Sequence, residues 1–129
     1  MNKNIPIISR YILGLIFLVF GVAGLFNLIP PPPNMPEGLM TFMGGLMASK
    51  YFFPLLKLTE SVCGLLLLIN IAPALMLVIL APITLNIVCV HLFLTPGIEN
   101  LVMPVFILIL HLLTAKKYWP VYRPLFDRN

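Results

Sequence analysis

The chain has 129 residues, of which 60% are hydrophobic and only 9% are charged, and its mean hydropathy is +1.06. A soluble protein would need more polar groups than these to cover its apolar side chains. The composition therefore excludes a soluble globular domain and indicates one domain in a lipid bilayer. The net charge of +4 is too small for nucleic-acid binding, and the basic residues lie too close to the apolar segments for it. An anionic lipid surface is the simpler partner.

The first apolar run covers residues 11–29, which is close to the ~20 residues that a helix needs to cross a hydrocarbon core. It is longer than the roughly 7 to 15 apolar residues of a signal peptide, and no small-residue cleavage site follows it, so we predict a transmembrane helix. The prolines at 30–33 end this helix and predict a stiff polyproline II segment. Apolar residues then recur at helical spacing and predict a short amphipathic helix at the membrane surface: Leu39, Phe42, Met43, Leu46 and Met47.

The apolar stretch 51–94 is about twice as long as one span, and its turn-like interruption lies at 70–73. It predicts a helical hairpin with spans at 51–69 and 74–94. Pro82 falls near the middle of the second helix of this hairpin. We therefore predict a kink there, with freed backbone carbonyls that a neighbouring side chain must satisfy.

The last apolar run, 98–115, is at the lower length limit for a span. Basic residues cluster near both ends of the chain, which predicts that both termini are cytoplasmic and that the number of spans is even. These residues are Lys3, Arg10, Lys116, Lys117, Arg123 and Arg128. We therefore predict an all-α integral membrane bundle of four transmembrane helices in the cell (inner) membrane, with the amphipathic helix in its first loop.

Four strongly polar residues lie within the second and third predicted spans: Lys57, Glu60, Asn86 and His91. Such groups cost several kcal/mol in hydrocarbon unless they are paired or hydrated. Lys57 and Glu60 are three residues apart, so they share a helix face and can form an ion pair. Asn86 and His91 lie at a comparable depth but about 140° apart around their helix, so the spacing alone does not require one compact cluster.

Two interpretations of these four residues remain open. The functional one is a site for a polar ligand, a proton relay or a quinone headgroup, with Glu60 as the acid or base and His91 as its partner. The structural one is an ion pair that holds the helices in register, with Asn86 bonded to a carbonyl freed at the kink. His91 also suits a simple interfacial position near the outer boundary of the membrane.

Two further polar residues lie near the inner boundary. Arg10 shares a face of the first helix with Gly14, Phe17 and Gly21, which predicts close helix packing. Arg10 itself is either a snorkelling cytoplasmic anchor or a contact for a lipid phosphate or a ligand carboxylate. For His111 we expect a structural role.

The sequence predicts no catalytic residue and no metal site, because it has no phosphate-binding loop, zinc motif, serine elbow or haem-attachment motif. Cys63 and Cys89 lie in apolar stretches without a Cys-x-x-Cys pattern. Several methionines around the first loop offer soft thioether ligands for copper(I), but apolar methionines in an amphipathic segment need no metal. They are Met35, Met40, Met43 and Met47.

Three segments together resemble the DoxX family of small bacterial membrane proteins. They are Arg10 with GLIFLVFG at 14–21, KLTESVCGLLLL at 57–68, and APITLNIVCVH at 81–91. The proline-rich first loop is similar to that of the short DoxX-like subgroup. The resemblance covers most of the chain and implies a four-helix membrane fold.

The resemblance also implies a set of candidate functions. Some DoxX proteins are tied to thiol or thiosulfate oxidation that feeds electrons to quinone, and more distant relatives help other membrane proteins to assemble. The first expectation is an accessory subunit of a membrane redox system, with quinone as candidate cofactor and a membrane or cytoplasmic oxidoreductase subunit as partner. A non-enzymatic assembly factor or structural membrane protein is the alternative. A small-solute or proton pathway is the third, and so narrow a bundle would need to form a homo-oligomer for it.

Overall fold

The computed structural model describes residues 2–28, 30, 34–95 and 97–127, and within them every regular element is helical. The helices are α1 (Asn4–Leu25), α2 (Glu37–Ala48), α3 (Phe52–Leu68), α4 (Pro73–Phe93), α5 (Val102–Lys117) and α6 (Trp119–Tyr122), with 3-10 turns at Ile98–Leu101 and Arg123–Phe126. The predicted all-α class is confirmed. A helix is also present in the first loop, as the apolar spacing there predicted.

Three helical segments are long and apolar enough to cross a membrane: Asn4–Leu25, Pro73–Phe93 and Ile98–Lys117. A fourth candidate consists of α2 and α3, which meet at a bend of 92°. Helix α3 has 17 residues, and at 1.5 Å per residue it is about 26 Å long, close to the roughly 30 Å of a hydrocarbon core. The structure is therefore a membrane bundle with three candidate spans, or four when α3 is included.

The first span differs most from its expected bounds. Helix α1 begins at Asn4 rather than at 11 and ends at Leu25 rather than at 29. The early start has a physical reason: Arg10, the charge that set the expected start, is buried in the bundle, so the helix continues past it. Residues 29 and 31–33 of the expected polyproline segment lie outside the described residues, as does Arg128.

Helices α1 and α3 pack backbone to backbone, and glycines make this approach sterically feasible. A methyl group on Gly64 would lie 2.5 Å from the Leu18 nitrogen and 2.7 Å from the Gly14 oxygen. Gly14 opposes Gly64 and Gly21 opposes Ser61, so the two helices run antiparallel. The glycine face expected on the first helix is therefore the face that packs on α3.

The spanning helices form a ring in which α1 and α4 each contact α3 and α5. Apolar side chains from all four helices fill the centre: Leu13, Phe17, Cys63, Leu67, Met76, Leu77, Leu80, Ile107 and Leu110. We call the two ends of the ring the terminal end, where α1 begins and α5 ends, and the loop end, where α1 ends and α3 begins. Helix α2 lies at the loop end and has no buried residue.

Helix α4 continues through Pro82 as one helix of 21 residues. A proline in this position removes one backbone donor from the helix. The neighbouring side chain that contacts a carbonyl near the proline is His111 of α5, whose Nε2 lies 3.0 Å from the Leu77 oxygen. The expected bond from Asn86 to a freed carbonyl is not among the contacts of the described residues.

Candidate functional site

An ion pair lies inside the bundle, in the half nearer the loop end. Lys57 and Glu60 project from successive turns of α3, and Lys57 Nζ lies 3.1 Å from Glu60 Oε2. Glu60 is only 4% exposed. Its Oε2 is enclosed, and no group among the described residues donates a well-directed hydrogen bond to it. The carboxylate therefore has its charge paired while an acceptor position remains open.

The Lys57 side chain reaches the carboxylate by passing over Gly24 of α1. A methyl group on Gly24 would lie 2.6 Å from Lys57 Cδ and 2.7 Å from Cε, so the missing side chain makes room for the lysine stem. The Lys57 ammonium also lies 5.5 Å from the centroid of the Phe53 ring. Helix α1 and an aromatic ring thus hold the cation on one side of the carboxylate.

His91 projects from α4, where its backbone environment determines which ring nitrogen is free. Nδ1 lies 2.8 Å from the Ile87 oxygen. A carbonyl can only accept a hydrogen bond, so Nδ1 carries the proton and donates it. In a neutral imidazole Nε2 is then an acceptor, and no contact of the described residues occupies it.

Asn86 lies on α4 five residues before His91 and nearer the middle of the bundle, and its side chain is exposed at the bundle surface. Its carboxamide has no partner among the described residues. An exposed, unpaired amide inside a membrane span is unfavourable in hydrocarbon. Asn86 is therefore a group whose hydrogen bonds remain to be made by something outside the bundle core.

Two cavities meet at these residues. The lateral cavity, about 180 Å³, lies between α2, α3 and α4 and is lined by all four polar residues, Lys57, Glu60, Asn86 and His91. The central cavity, about 210 Å³, lies between α1, α3, α4 and α5 and is lined by Lys57, Glu60 and His91 but not by Asn86. The structure thus places the four predicted residues around one cavity, and three of them also line the second.

A third cavity connects Lys57 with the loop end. It measures about 360 Å³ and is lined by residues at the end of α1, in the first loop and on α2, including Asn27, Met43 and Met47. These methionines lie beside Lys57 as apolar lining. The expected amphipathic helix therefore covers the polar residues of α3 from the loop end.

Arg10 occupies a different environment from the one expected for a snorkelling anchor. It is 6% exposed, and its guanidinium donates a hydrogen bond to the Leu67 oxygen at the end of α3. The guanidinium also lies 4.4 Å from the centroid of the Tyr11 ring. Arg10 therefore satisfies a carbonyl at a helix C-terminus, a position that favours a cation.

His111 is a buried residue whose tertiary contacts the sequence pattern did not reveal. Its Nε2 donates to the Leu77 oxygen at 3.0 Å, and its Nδ1 lies 3.0 Å from the Thr84 hydroxyl. Pro82 of α4 lies between these two partners. The sequence did contain a signal for this contact, because it has a histidine on one span and a proline inside the preceding one. It did not show that the two residues lie at the same depth in the bundle.

The remaining residues that could bind a metal ion or carry thiol chemistry do not lie together. Cys63 is a buried free thiol and Cys89 is a partly buried one. Among the described residues, no three His, Cys, Asp or Glu side chains lie together in a way that could hold a metal ion.

Comparison with known proteins identifies the family. The DoxX family model matches residues 5–93. This match covers α2, α3, α4 and all of α1 except its first residue, and it includes Lys57, Glu60, Asn86 and His91. No curated protein and no solved structure matches the chain. Because the match extends over well more than half of the chain and its helices form an apolar bundle, the chain belongs to the DoxX family of membrane proteins.

Proposed function

We propose that this DoxX-family protein is an accessory membrane subunit of a redox system, and that its lateral and central cavities hold the headgroup of a lipid-soluble quinone. The observation that carries the proposal is the enclosed Glu60 carboxylate, which lines both cavities together with Lys57 and His91. The redox context of the proposal comes from the family, because some DoxX proteins are tied to thiol or thiosulfate oxidation that feeds electrons to quinone.

The size and the lining of the cavities fit such a headgroup. An apolar protein cavity of about 150 Å³ holds a benzene ring, and the lateral and central cavities measure about 180 and 210 Å³. The lateral cavity combines eight apolar side chains with the four polar ones. A ring with a few polar substituents and an apolar tail matches this lining. Asn86, exposed at the bundle surface, marks the side on which the tail would reach lipid.

The polar residues have complementary hydrogen-bonding capacities. The Lys57 ammonium and the Asn86 amide are donors and suit the carbonyl oxygen of an oxidised ring. His91 Nε2 and Glu60 Oε2 are acceptors and suit the hydroxyl of a reduced ring. A bound quinone would supply the redox chemistry, taking up two electrons and two protons on reduction. The residues of this chain would orient the ring and accept or return its protons.

In this proposal, a separate oxidoreductase subunit supplies the electrons that reduce the quinone. The two cysteines lie on different helices, Cys63 on α3 and Cys89 on α4, and neither belongs to a Cys-x-x-Cys motif. A dithiol centre of the usual type is therefore not encoded in this chain. The protein accordingly acts as a binding and positioning subunit in this proposal.

The first experiment compares Glu60→Gln with the matched control Glu37→Gln, which changes an exposed glutamate on α2. Both variants are purified in detergent, and folded yield, copurifying proteins and extracted quinone are measured. Binding of a short-tailed ubiquinone analogue is then titrated. We expect Glu60→Gln to bind the analogue about tenfold or more weakly at unchanged yield, because a charged hydrogen-bond partner is lost. Glu37→Gln should behave as wild type.

His91→Gln provides an independent test if Glu60→Gln reduces the folded yield. His91 is only partly buried, and its one side-chain bond goes to a carbonyl of its own helix. Weaker binding of the analogue by this variant would support the proposal. Unchanged binding by both variants, or the absence of any oxidoreductase among the copurifying proteins, would refute it.

An assembly role is the second candidate function, and α2 is the observation that favours it. This helix lies at 92° to α3 and buries none of its residues, so most of its surface is available to another membrane protein. Under this alternative, Glu60→Gln changes the abundance of a client protein while electron transfer per assembled complex stays constant. That pattern would favour assembly over quinone binding.

A further inference from the structure

A second group of charged residues lies at the terminal end of the bundle, away from the polar cavities. Where the start of α1 meets the end of α5, a cleft of about 460 Å³ is lined by Asn2, Lys3, Pro6, Ile7, Lys116 and Lys117. Lys3 immediately precedes α1, and the other two lysines occupy the last turn of α5. All three lysine side chains are exposed.

The ionisable side chains that line this cleft are all positively charged. No acidic residue lines it, and the ion pair that the structure records among the described residues joins Lys57 to Glu60 in the other half of the bundle. Two of the remaining acidic residues, Glu37 and Glu99, lie at the loop end. Three ammonium groups around one cleft therefore create a local site for an anion with more than one charge.

The position of the cleft identifies the source of that anion. It lies at the ends of two helices that can cross a membrane, which is the level of the lipid headgroups. Pro6 and Ile7 give it an apolar wall beside the lysines. Basic clefts between transmembrane helices at this level suit anionic lipid headgroups.

We propose that this cleft is a binding site for the phosphate headgroup of an anionic lipid, and that a lipid with two phosphates occupies it best. The lysines are the residues that bind the phosphates. The Asn2 Oδ1 accepts a hydrogen bond from the Asn4 nitrogen at 3.0 Å, and this bond orients the amide Nδ2, which can donate to a phosphate oxygen. This site is independent of the quinone proposal, since it shares no residue with either polar cavity.

The test compares two double variants that each remove two positive charges. Lys116→Gln with Lys117→Gln changes the cleft, whereas Lys50→Gln with Arg123→Gln changes exposed basic residues outside it. Binding of cardiolipin, phosphatidylglycerol and phosphatidylcholine to the detergent-solubilised protein is measured by native mass spectrometry and by thermal stabilisation. Inorganic pyrophosphate at the same concentration serves as the soluble anion.

We expect wild type to bind cardiolipin more tightly than phosphatidylglycerol and to show no preference for phosphatidylcholine. Each lysine beside an anionic lipid contributes a factor of about five in affinity, so the cleft variant, which lacks two lysines, should bind cardiolipin about 25-fold more weakly. The control variant should retain nearly all of the affinity. Equal losses in both variants, or an unchanged affinity in the cleft variant, would show general surface attraction and overturn the proposal. Equal stabilisation by pyrophosphate would overturn the assignment to lipid.

Discussion

The two halves of the bundle use similar polar residues in opposite ways. In the half nearer the terminal end, two buried polar side chains bond to a carbonyl of a neighbouring helix: Arg10 to the Leu67 oxygen and His111 to the Leu77 oxygen. Tyr122, just beyond α5, likewise donates to the Ala74 oxygen at 2.7 Å. In the half nearer the loop end, Glu60 Oε2, His91 Nε2 and the Asn86 amide have open hydrogen-bonding positions beside cavities.

This difference separates structural polar residues from candidate ligand-binding ones. A buried polar group whose partner is a carbonyl of another helix stabilises the fold, and removing it costs that hydrogen bond between helices. A polar group with an open position beside a cavity lowers stability unless something binds there. The two histidines show the contrast: His111 uses both ring nitrogens on α4, whereas His91 uses one nitrogen on its own helix.

The largest loss of stability should follow from a substitution that forces α1 and α3 apart, because these two helices run through both halves of the bundle. Gly64→Ala places a methyl group 2.5 Å from the Leu18 nitrogen, which is backbone that cannot move by itself. We expect a loss of about 3 kcal/mol in unfolding free energy, as for an overpacked core. Gly44→Ala on α2 is the control, because nothing lies within 4 Å of its added methyl group. Denaturation in mixed micelles measures both, and similar stabilities would contradict the close α1–α3 contact.

Arg10→Met should have the next largest effect and should separate stability from binding. It removes a charged donor from the Leu67 oxygen, so we expect about 2 kcal/mol lower stability. Affinity for the quinone analogue should be unchanged when measured at a temperature where the variant is folded. A selective loss of binding at normal stability would place Arg10 in the ligand site instead.

Leucine substitutions of the two histidines test the comparison directly. His111→Leu leaves the Leu77 carbonyl and the Thr84 hydroxyl without their partner, so we expect a loss of about 2 kcal/mol. His91→Leu should cost less than about 1 kcal/mol, because its only bond is to a carbonyl within its own helix. It should nevertheless weaken binding of the quinone analogue. Thermal unfolding and ligand titration of the same samples would show whether these effects separate or, against expectation, coincide.

The smallest stability change is expected for Asn86→Leu. Its amide is exposed and unpaired within a span, so its replacement should leave stability unchanged or raise it by about 0.5 kcal/mol or more. Binding of the analogue should weaken, since a hydrogen-bond donor at the lateral cavity is lost. A marked loss of stability would instead indicate that Asn86 makes a structural bond in the membrane, for example with a second copy of the chain.

Part of the candidate site could be predicted from the sequence because helical periodicity acts over short distances. The spacing of three residues between Lys57 and Glu60 was sufficient to predict an ion pair. The spacing between Asn86 and His91 was not sufficient to predict a cluster, because they point in directions about 140° apart. They line the same cavity because α2 and α3 pack around that side of α4, which depends on contacts between helices.

The sequence by itself determined the membrane character, the family and the approximate positions of the helices. Hydrocarbon thickness and the rise per residue set the length of an apolar span, so these features are encoded in consecutive residues. Tertiary structure alone decided which polar groups are satisfied. The carbonyls that Arg10, His111 and Tyr122 bond to lie 57, 34 and 48 residues away. Such partners meet only when helices pack, and that packing also places Glu60, His91 and Asn86 beside a cavity with hydrogen-bonding positions that no described residue fills.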